Sequence, residues 1–358
     1  MTSSISLYAG NKALKQIQQN GIHQSMFDVM AGASGGPKWF TLYGLDCYLF
    51  GEFFANRENP IHTIGSSAGA WRMACFAQED PVGAIKRLAH HYSHETYSSK
   101  PDVHEISDKA IQMLDKVLGT TGEEEIANST LVQSHFIVAR AKGMSQSENR
   151  LLQLTGLLKA ATANALSRQR IGKHFERFIF YTKNASFARP FFSFEDMPTE
   201  FIPLSSHNIH QTLMASGAIP MVLRGITKIP GAPSGVYRDG GIVDYHLDIN
   251  FNSEKLVLYP HFFPIVKPGW FDKKLKNRRA NPENFDNVIL ITPSEEHVNS
   301  LPYRKISDRK DFESFDERTR IKYWQTVLDK SHLMAEDFQA AVDTGKGLEN
   351  IIPIESIL

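Results

Sequence analysis

Hydrophobic positions along this chain fall into two kinds of pattern. Two short runs, the mostly apolar Phe27-Asp28-Val29-Met30-Ala31 and the β-branched Ile61-His62-Thr63-Ile64, read as buried strands. Each runs into a glycine-flanked serine and then into a stretch of helix formers, Pro37 to Phe54 and Ala70 to Ala77. In the first of these stretches Trp39, Leu42, Leu45, Leu49 and Phe50 recur near the 3.6-residue period and define one buried face. Pro37 suits a first helical position, where its missing N–H would have no partner anyway. Strand, turn and helix repeated in this way predict an α/β fold of three layers, a mostly parallel central sheet sandwiched by helices.

Downstream the same reading continues. Lys12 to Gln19 predicts a short polar helix ending near Asn20-Gly21. From about 81 to 170 the pattern is helical except for an apolar run, His135 to Arg140, read as a strand. That stretch is longer than a crossover needs and is read as a helical insertion. Within it Leu151, Leu152, Leu154, Leu157 and Leu158 mark an apolar helix face. The expectation is that this face packs on the sheet; the alternative is a mobile lid or a face that touches lipid. Strands are predicted at Phe178–Thr182, Phe191–Phe194, Phe201–Leu204, Val236–Arg238, Lys255–Tyr259 and Val288–Thr292, with a helix over His207–Ser216. A charged helical tail spans about 308–343, with apolar spacing at Ile321, Trp324, Leu328, Leu333 and Phe338. No repeat or linker interrupts the chain, so one domain over 1–358 is expected, with its motifs between 27 and 248.

Composition narrows the function classes. With 358 residues, 42% hydrophobic and 22% charged, the chain is long enough for one large core. Lys plus Arg equals Asp plus Glu at 39 each, so no overall basic footprint points to nucleic acid. Cys47 and Cys75 are too few for a disulfide framework and are read as buried thiols. No apolar run approaches a membrane span, and Met1 to Gln19 has no apolar h-region. The expected location is cytoplasmic.

Candidate chemistry centres on Gly65-Ser66-Ser67-Ala68-Gly69, a G-x-S-x-G pattern between strand and helix. That context strains the serine backbone at a sharp turn and aims free helix N–H groups at it. A second copy, Gly32-Ala33-Ser34-Gly35-Gly36, has the same flanks, so the pattern alone leaves Ser34 and Ser67 both open. Gly35-Gly36-Pro37-Lys38 follows at once, Ala215-Ser216-Gly217-Ala218-Ile219-Pro220 lies downstream, and Asp239-Gly240-Gly241 comes after it.

In this order the pieces resemble the patatin-like phospholipase family. The resemblance implies Ser67 as nucleophile and Asp239 as the base acting on it directly, with no histidine. It implies backbone N–H groups of Gly35 and Gly36 as the oxyanion hole. Lys38, Gly65, Gly69 and Gly240 take supporting places. The implied activity is hydrolysis of carboxylic esters of lipids through an acyl-enzyme, with a lipid or small ester as partner and no metal or organic cofactor. The chain departs from the family at Ser34 and Trp39, where glycines are usual, and at Asp244-Tyr245-His246-Leu247, where Asn and Pro are usual.

Two rival readings stay open. An ordinary Ser-Asp-His hydrolase would draw its base from His246, His261, His297 or His332. A non-catalytic lipid-binding protein would keep the fold alone. His90, His91, His94 and Glu95 have no further ligand motif and are read as a solvated face. Between His261 and Arg279, Phe262, Phe263, Trp270 and Phe271 interleave with six cations. That mixture predicts peripheral membrane contact near Trp270, against a structured loop with a solvated basic tail. Nothing in the sequence decides the oligomeric state.

Overall fold

The β-branched runs become strands with no exposed residue, which requires cover on both faces of their sheet. The computed structural model describes residues 3–183, 191, 192, 194 and 196–358. β1 (Ile5–Ala9) leads into α1 (Asn11–Asn20), which stops where Gly21 turns to φ 71°. β2 (Phe27–Gly32) runs into a continuous helical stretch with α2 (Tyr43–Tyr48) at its middle. That stretch starts as a 3₁₀ helix over Gly36–Leu42 and ends in a π turn over Leu49–Phe53. β3 (Ile61–Ser66) and α3 (Ala68–Phe76) follow. α4 (Pro81–Ser93), α5 (Val103–Leu118) and α6 (Gly122–Asn128) then carry the chain across to β4 (Val132–Ala141).

α7 (Arg150–Leu166) precedes β5 (Phe175–Tyr181), β6 (Thr199–Pro203), α8 (Ile209–Ser216) and β7 (Val236–Asp239). β8 (Leu256–Pro260) and β9 (Val288–Pro293) complete the sheet interior. The tail holds α9 (Glu295–Ser300), α10 (Asp311–Ser314), α11 (Glu317–Lys330), α12 (His332–Thr344) and the two-residue β10 (Ile352–Pro353). No helix of the described residues is long and apolar enough to cross a membrane.

The strand order is β10-β1-β9-β8-β2-β3-β4-β5-β6, with β7 paired to β4 off this path. Among the described residues six of the nine strand pairings are parallel. The fold is thus α/β, a mostly parallel central sheet with flanking helices. β4 is longer than its neighbour β3. Its first half pairs with β3 as far as Ser66 opposite Ile137. Its last four residues, beyond the end of β3, take β7 antiparallel, with Asp239 opposite Val138. Two successive β4 residues therefore fix the ends of β3 and β7 side by side.

Under the turn after β3, α3 is tied to α2 by a bidentate pair: Arg72 Nε and Nη2 donate to Asp46 Oδ2 and Oδ1 at 2.7 and 2.6 Å, with both side chains buried. Such pairing is what lets two charges persist away from water.

Two sequence expectations need correction, and one strand went unread. β1 was not anticipated: Ile5, Leu7 and Ala9 alternate too briefly to signal a strand, and their partner β9 lies at the far end of the chain. The apolar face of α7 does not pack on the sheet. Of the five leucines only Leu157 is buried, while Leu151 is 72% and Leu158 61% exposed. The inward face is instead Gln153, Gly156, Leu157, Ala160 and Asn164. Phe191, Phe192 and Phe194 are not in a strand; Ser193, in that same run, lies outside the described residues.

Candidate active site

Ser67 stands at the turn between β3 and α3 with φ 53° and ψ −125°, a conformation that L residues rarely adopt. Holding a non-glycine residue there costs on the order of 1–3 kcal/mol and needs support from its surroundings. Part of that support is Ser216, at the end of α8. Ser67 N donates to Ser216 Oγ at 2.9 Å, and Ser216 Oγ donates to the Ile137 carbonyl of β4 at 2.7 Å. The turn is tight because α3 starts against β2: a Cβ at Gly69 would run into the Gly32 carbonyl, and one at Gly65 would meet Ala70 N at 2.7 Å. Sequence reasoning noticed the Ser216 segment without a role for it; a serine next to a motif of small residues was the only signal.

Ser67 Oγ donates to Asp239 Oδ2 at 2.8 Å, and Gly241 N donates to Asp239 Oδ1 at 2.7 Å. Asp239 N donates to the Ala218 carbonyl, which anchors β7 to the turn after α8. The carboxyl is 7% exposed, and burial pushes its pKa up to about 6 against the opposing pull of those hydrogen bonds. A Cβ at Gly240 would collide with the Ile137 carbonyl, so this position admits only glycine.

Ser34 stands elsewhere. Its Oγ is bonded to Ser66 Oγ at 2.7 Å, and Ser66 Oγ donates to the Asp244 carbonyl. Ser34 and Ser66 thus stitch the loop after β2 to β3, and no carboxylate accepts from Ser34 among the described residues. Beyond Ser34 the loop places Gly35 and Gly36 on the wall of the cavity that holds Ser67 and Asp239. Their N–H groups bond to nothing among the described residues. Gly36 has φ 56°, and a Cβ at Gly35 would overlap the Phe262 ring. Lys38 lines the same cavity and is ion-paired with Asp308.

The four candidate histidines make no hydrogen bond to Ser67 or Asp239 among the described residues. His246 borders the cavity, but its Nδ1 accepts from Lys267 N at 3.0 Å, and burial beside His261 holds it neutral. His261 turns its Nδ1 to Phe263, His297 sits at α9, and the His332 ring packs on Tyr43.

Two cavities meet at Ser67. One, of about 450 Å³, carries Lys38, Lys267, Lys273, Arg309 and Lys310 against the carboxylates of Asp239 and Asp308. Of these cations only Lys38 has an ion pair among the described residues. Lys273 Nζ lies 3.7 Å from the centre of the Tyr245 ring; desolvation, and then Lys38 beside it, lowers its pKa to about 7. The other cavity, of about 740 Å³, is walled by Trp71, Ile106, Met113, Met221, Leu223 and Phe312, with Glu313, Glu317 and Arg320 also on its lining. Gly36, Ser67, Ile219 and Arg309 border both. Sequence reading missed this pairing of a cationic chamber and a larger one rich in aromatic and aliphatic side chains, because the walls come from distant segments.

No protein-family model and no curated protein matches the sequence. Among solved structures the chain is similar to human GIVD cytosolic phospholipase A2 in complex with methyl gamma-linolenyl fluorophosphonate. That match has 11% identity and a TM-score of 0.37, and covers 95% of this chain and 62% of that one. A second structure of the human enzyme gives 12% and 0.36, with the same coverage. VipD from Legionella pneumophila gives 11% and 0.34, over 93% of this chain and 70% of that one. The chain thus spans about 62% of the length of the human phospholipase structures.

Proposed function

We propose that this protein is a serine acyl hydrolase that cleaves carboxylic esters of anionic, phospholipid-like lipids with a Ser67–Asp239 dyad. The observation that carries the reading is the position of Ser67, hydrogen-bonded to a buried carboxylate where a cationic chamber meets a larger one with an apolar stretch of wall. An ester with an acyl chain along that apolar wall and a phosphate among Lys273, Arg309 and Lys267 would bring its carbonyl to Ser67. An anion bound there would also restore the full charge of Lys273.

In this mechanism Ser67 Oγ attacks the carbonyl carbon and its proton passes to Asp239 Oδ2. The tetrahedral oxyanion is met by the Gly35 and Gly36 N–H groups, each worth about 3 kcal/mol by analogy with oxyanion donors elsewhere. The C–O bond of the ester then breaks, and the leaving alkoxide takes the proton from Asp239. Water repeats the sequence in reverse on the acyl-Ser67 ester: it gives a proton to Asp239, the acid departs, and Ser67 Oγ recovers the proton. Lys38 steadies the oxyanion loop through Asp308, while Gly65, Gly69 and Gly240 let the backbones close around the serine. No step calls for a metal or an organic cofactor. Cys47 and Cys75 are unpaired, which suits work in a reducing compartment such as the cytoplasm.

The test compares hydrolysis of a lysophosphatidic acid with that of a monoacylglycerol of the same chain. The wild type should prefer the anionic ester in kcat/KM, and Lys273→Met with Arg309→Met should erase the preference mainly through KM. A folded wild type that cleaves neither ester, and is not labelled by a fluorophosphonate, overturns the reading in favour of a non-catalytic lipid-binding protein.

A further inference from the structure

α7 presents its apolar face to solvent. Leu151, Leu154, Leu158 and Leu166 lie along one stripe at helical spacing, and Leu166 is 69% exposed. The threonines within the stripe add to it. Thr155 Oγ1 donates to the Leu151 carbonyl and Thr162 Oγ1 to the Leu158 carbonyl, both at 2.9 Å, so their hydroxyls are turned onto the backbone. Met144, 43% exposed, extends the patch at the turn packed beside the helix.

The charge around this stripe has one sign. From Asn149 to His174 the chain has five cations, Arg150, Lys159, Arg168, Arg170 and Lys173, and no Asp or Glu. Arg168 points inward to the Val243 carbonyl. The other four are exposed and make no ion pair among the described residues. A shallow groove along the helix is lined by Leu158, Leu166, Lys159, Arg170 and Lys173 together. The chain as a whole is balanced, with Lys plus Arg equal to Asp plus Glu at 39 each, so this run of cations without an acid is a local feature.

We propose that the outer face of α7 docks the protein onto anionic phospholipid bilayers. The leucines enter the boundary between head groups and acyl chains, and Arg150, Lys159, Arg170 and Lys173 meet lipid phosphates. A helix with an apolar stripe and a purely basic flank is the pattern that lies in such an interface. A second copy of this chain is a poorer occupant, since two such faces would oppose cation to cation. The inner face of the same helix connects to the candidate site. Met221 N donates to Gln153 Oε1, and Asn164 Nδ2 donates to Asp272 Oδ1 in the Trp270–Lys274 turn. Met221, Trp270 and Lys273 line the two chambers at Ser67. Docking on α7 would thus set a wall of the candidate site against the membrane. Trp270 and Phe271 are half-buried, and Trp270 belongs to that wall rather than to the exposed apolar area.

The experiment is vesicle flotation of the full chain in a Ser67→Ala background, so that lipid is not consumed. Vesicles of phosphatidylcholine are compared with vesicles that also contain phosphatidylglycerol, at low and high salt. Binding should require the anionic lipid and weaken with salt. Leu154→Gln and Leu158→Gln, both at exposed positions, should each weaken it by about tenfold. Replacing Lys159, Arg170 and Lys173 by Gln should weaken it and flatten the salt dependence. Thermal melts establish that the variants fold. Failure to bind anionic vesicles at low salt overturns the proposal, as does equal binding by the leucine variants. So does a wild-type dimer that Leu158→Gln dissociates, which would make the face a self-association surface. Hydrolysis of a soluble short-chain ester by the same leucine variants with Ser67 intact separates the two readings. A chain that binds vesicles but cleaves nothing retains the docking face and loses the acyl-hydrolase assignment; one that cleaves but never binds does the opposite.

Discussion

Replacing Asp239 by Asn removes a charge and little else. The two carboxyl oxygens accept from Ser67 Oγ and Gly241 N. In Asp239→Asn the amide oxygen can keep the Gly241 bond while the amide nitrogen donates to Ser67 Oγ, whose own O–H turns to the cavity it lines. What disappears is the cost of ionising a buried carboxyl. An Asp at 3.8 in the unfolded chain and about 6 in the fold binds its proton more tightly when folded. Below about pH 4 it is protonated in both states and costs nothing. Between about 4 and 6 the unfolded chain releases the proton and the fold does not, so wild-type stability falls as pH rises. Above about 6 the penalty levels off at about 3 kcal/mol. For a chain of 358 residues this is a rise of about 4 °C in the melting temperature of Asp239→Asn at pH 7. The gain should shrink to nothing at pH 4. Esterase activity should meanwhile fall by about two to four powers of ten, because the variant has no base. Paired melts of wild type and variant across pH 4–8, with activity on the same samples, test both halves. A variant no more stable than wild type at pH 7, or a difference that ignores pH, would refute the account of Asp239 as a base whose ionisation is penalised by burial.

Three further outcomes are expected. Fluorophosphonate labelling should vanish in Ser67→Ala and persist in Ser34→Ala, whose hydroxyl is occupied by Ser66; labelling that follows Ser34 instead would reassign the nucleophile. The wild-type kcat/KM should rise with pH and flatten above about 6 as Asp239 ionises, and no folded Ala variant of His246, His261, His297 or His332 should approach the loss in Asp239→Asn; a folded, inactive histidine variant would point to a triad. Arg72→Met should leave Asp46 buried without its partner and cost about 3–5 kcal/mol, read by urea unfolding, whereas pairing it with Asp46→Leu should recover most of that loss.

The local pieces of this fold were readable because their signals are local. β2, β3 and the helices after them announce themselves by apolar and β-branched runs, paired glycines and Pro37. The serine of one motif and the aspartate of another are 172 residues apart, yet each lies in a recognisable turn. What could not be read depends on partners distant in the chain. Nothing in Ile5–Ala9 signals its pairing with β9, and nothing in Val236–Asp239 says that it continues along the edge of β4 past the end of β3. The roles of Ser216 and Ser34 are of the same kind, since a serine that braces a turn looks like any other. α7 illustrates a different limit. Its periodicity identifies an apolar face, but periodicity does not say whether that face meets the sheet or the solvent. The missing acids between Asn149 and His174 were the available clue.

β4 contributes no side chain to the Ser67–Asp239 pair, yet Ile137 and Val138 set the spacing of that pair by the strands they hold. The contact therefore comes into being only when three segments separated by long stretches of chain have docked along one strand. Closures of that length are slow to form, whereas the helices between them need only their neighbours. During refolding, helical signal should accordingly return well before the Ser67–Asp239 contact. Fluorophosphonate reactivity would then serve as a clock for the last non-local step, reporting the arrival of β7 on β4 rather than the collapse of the chain.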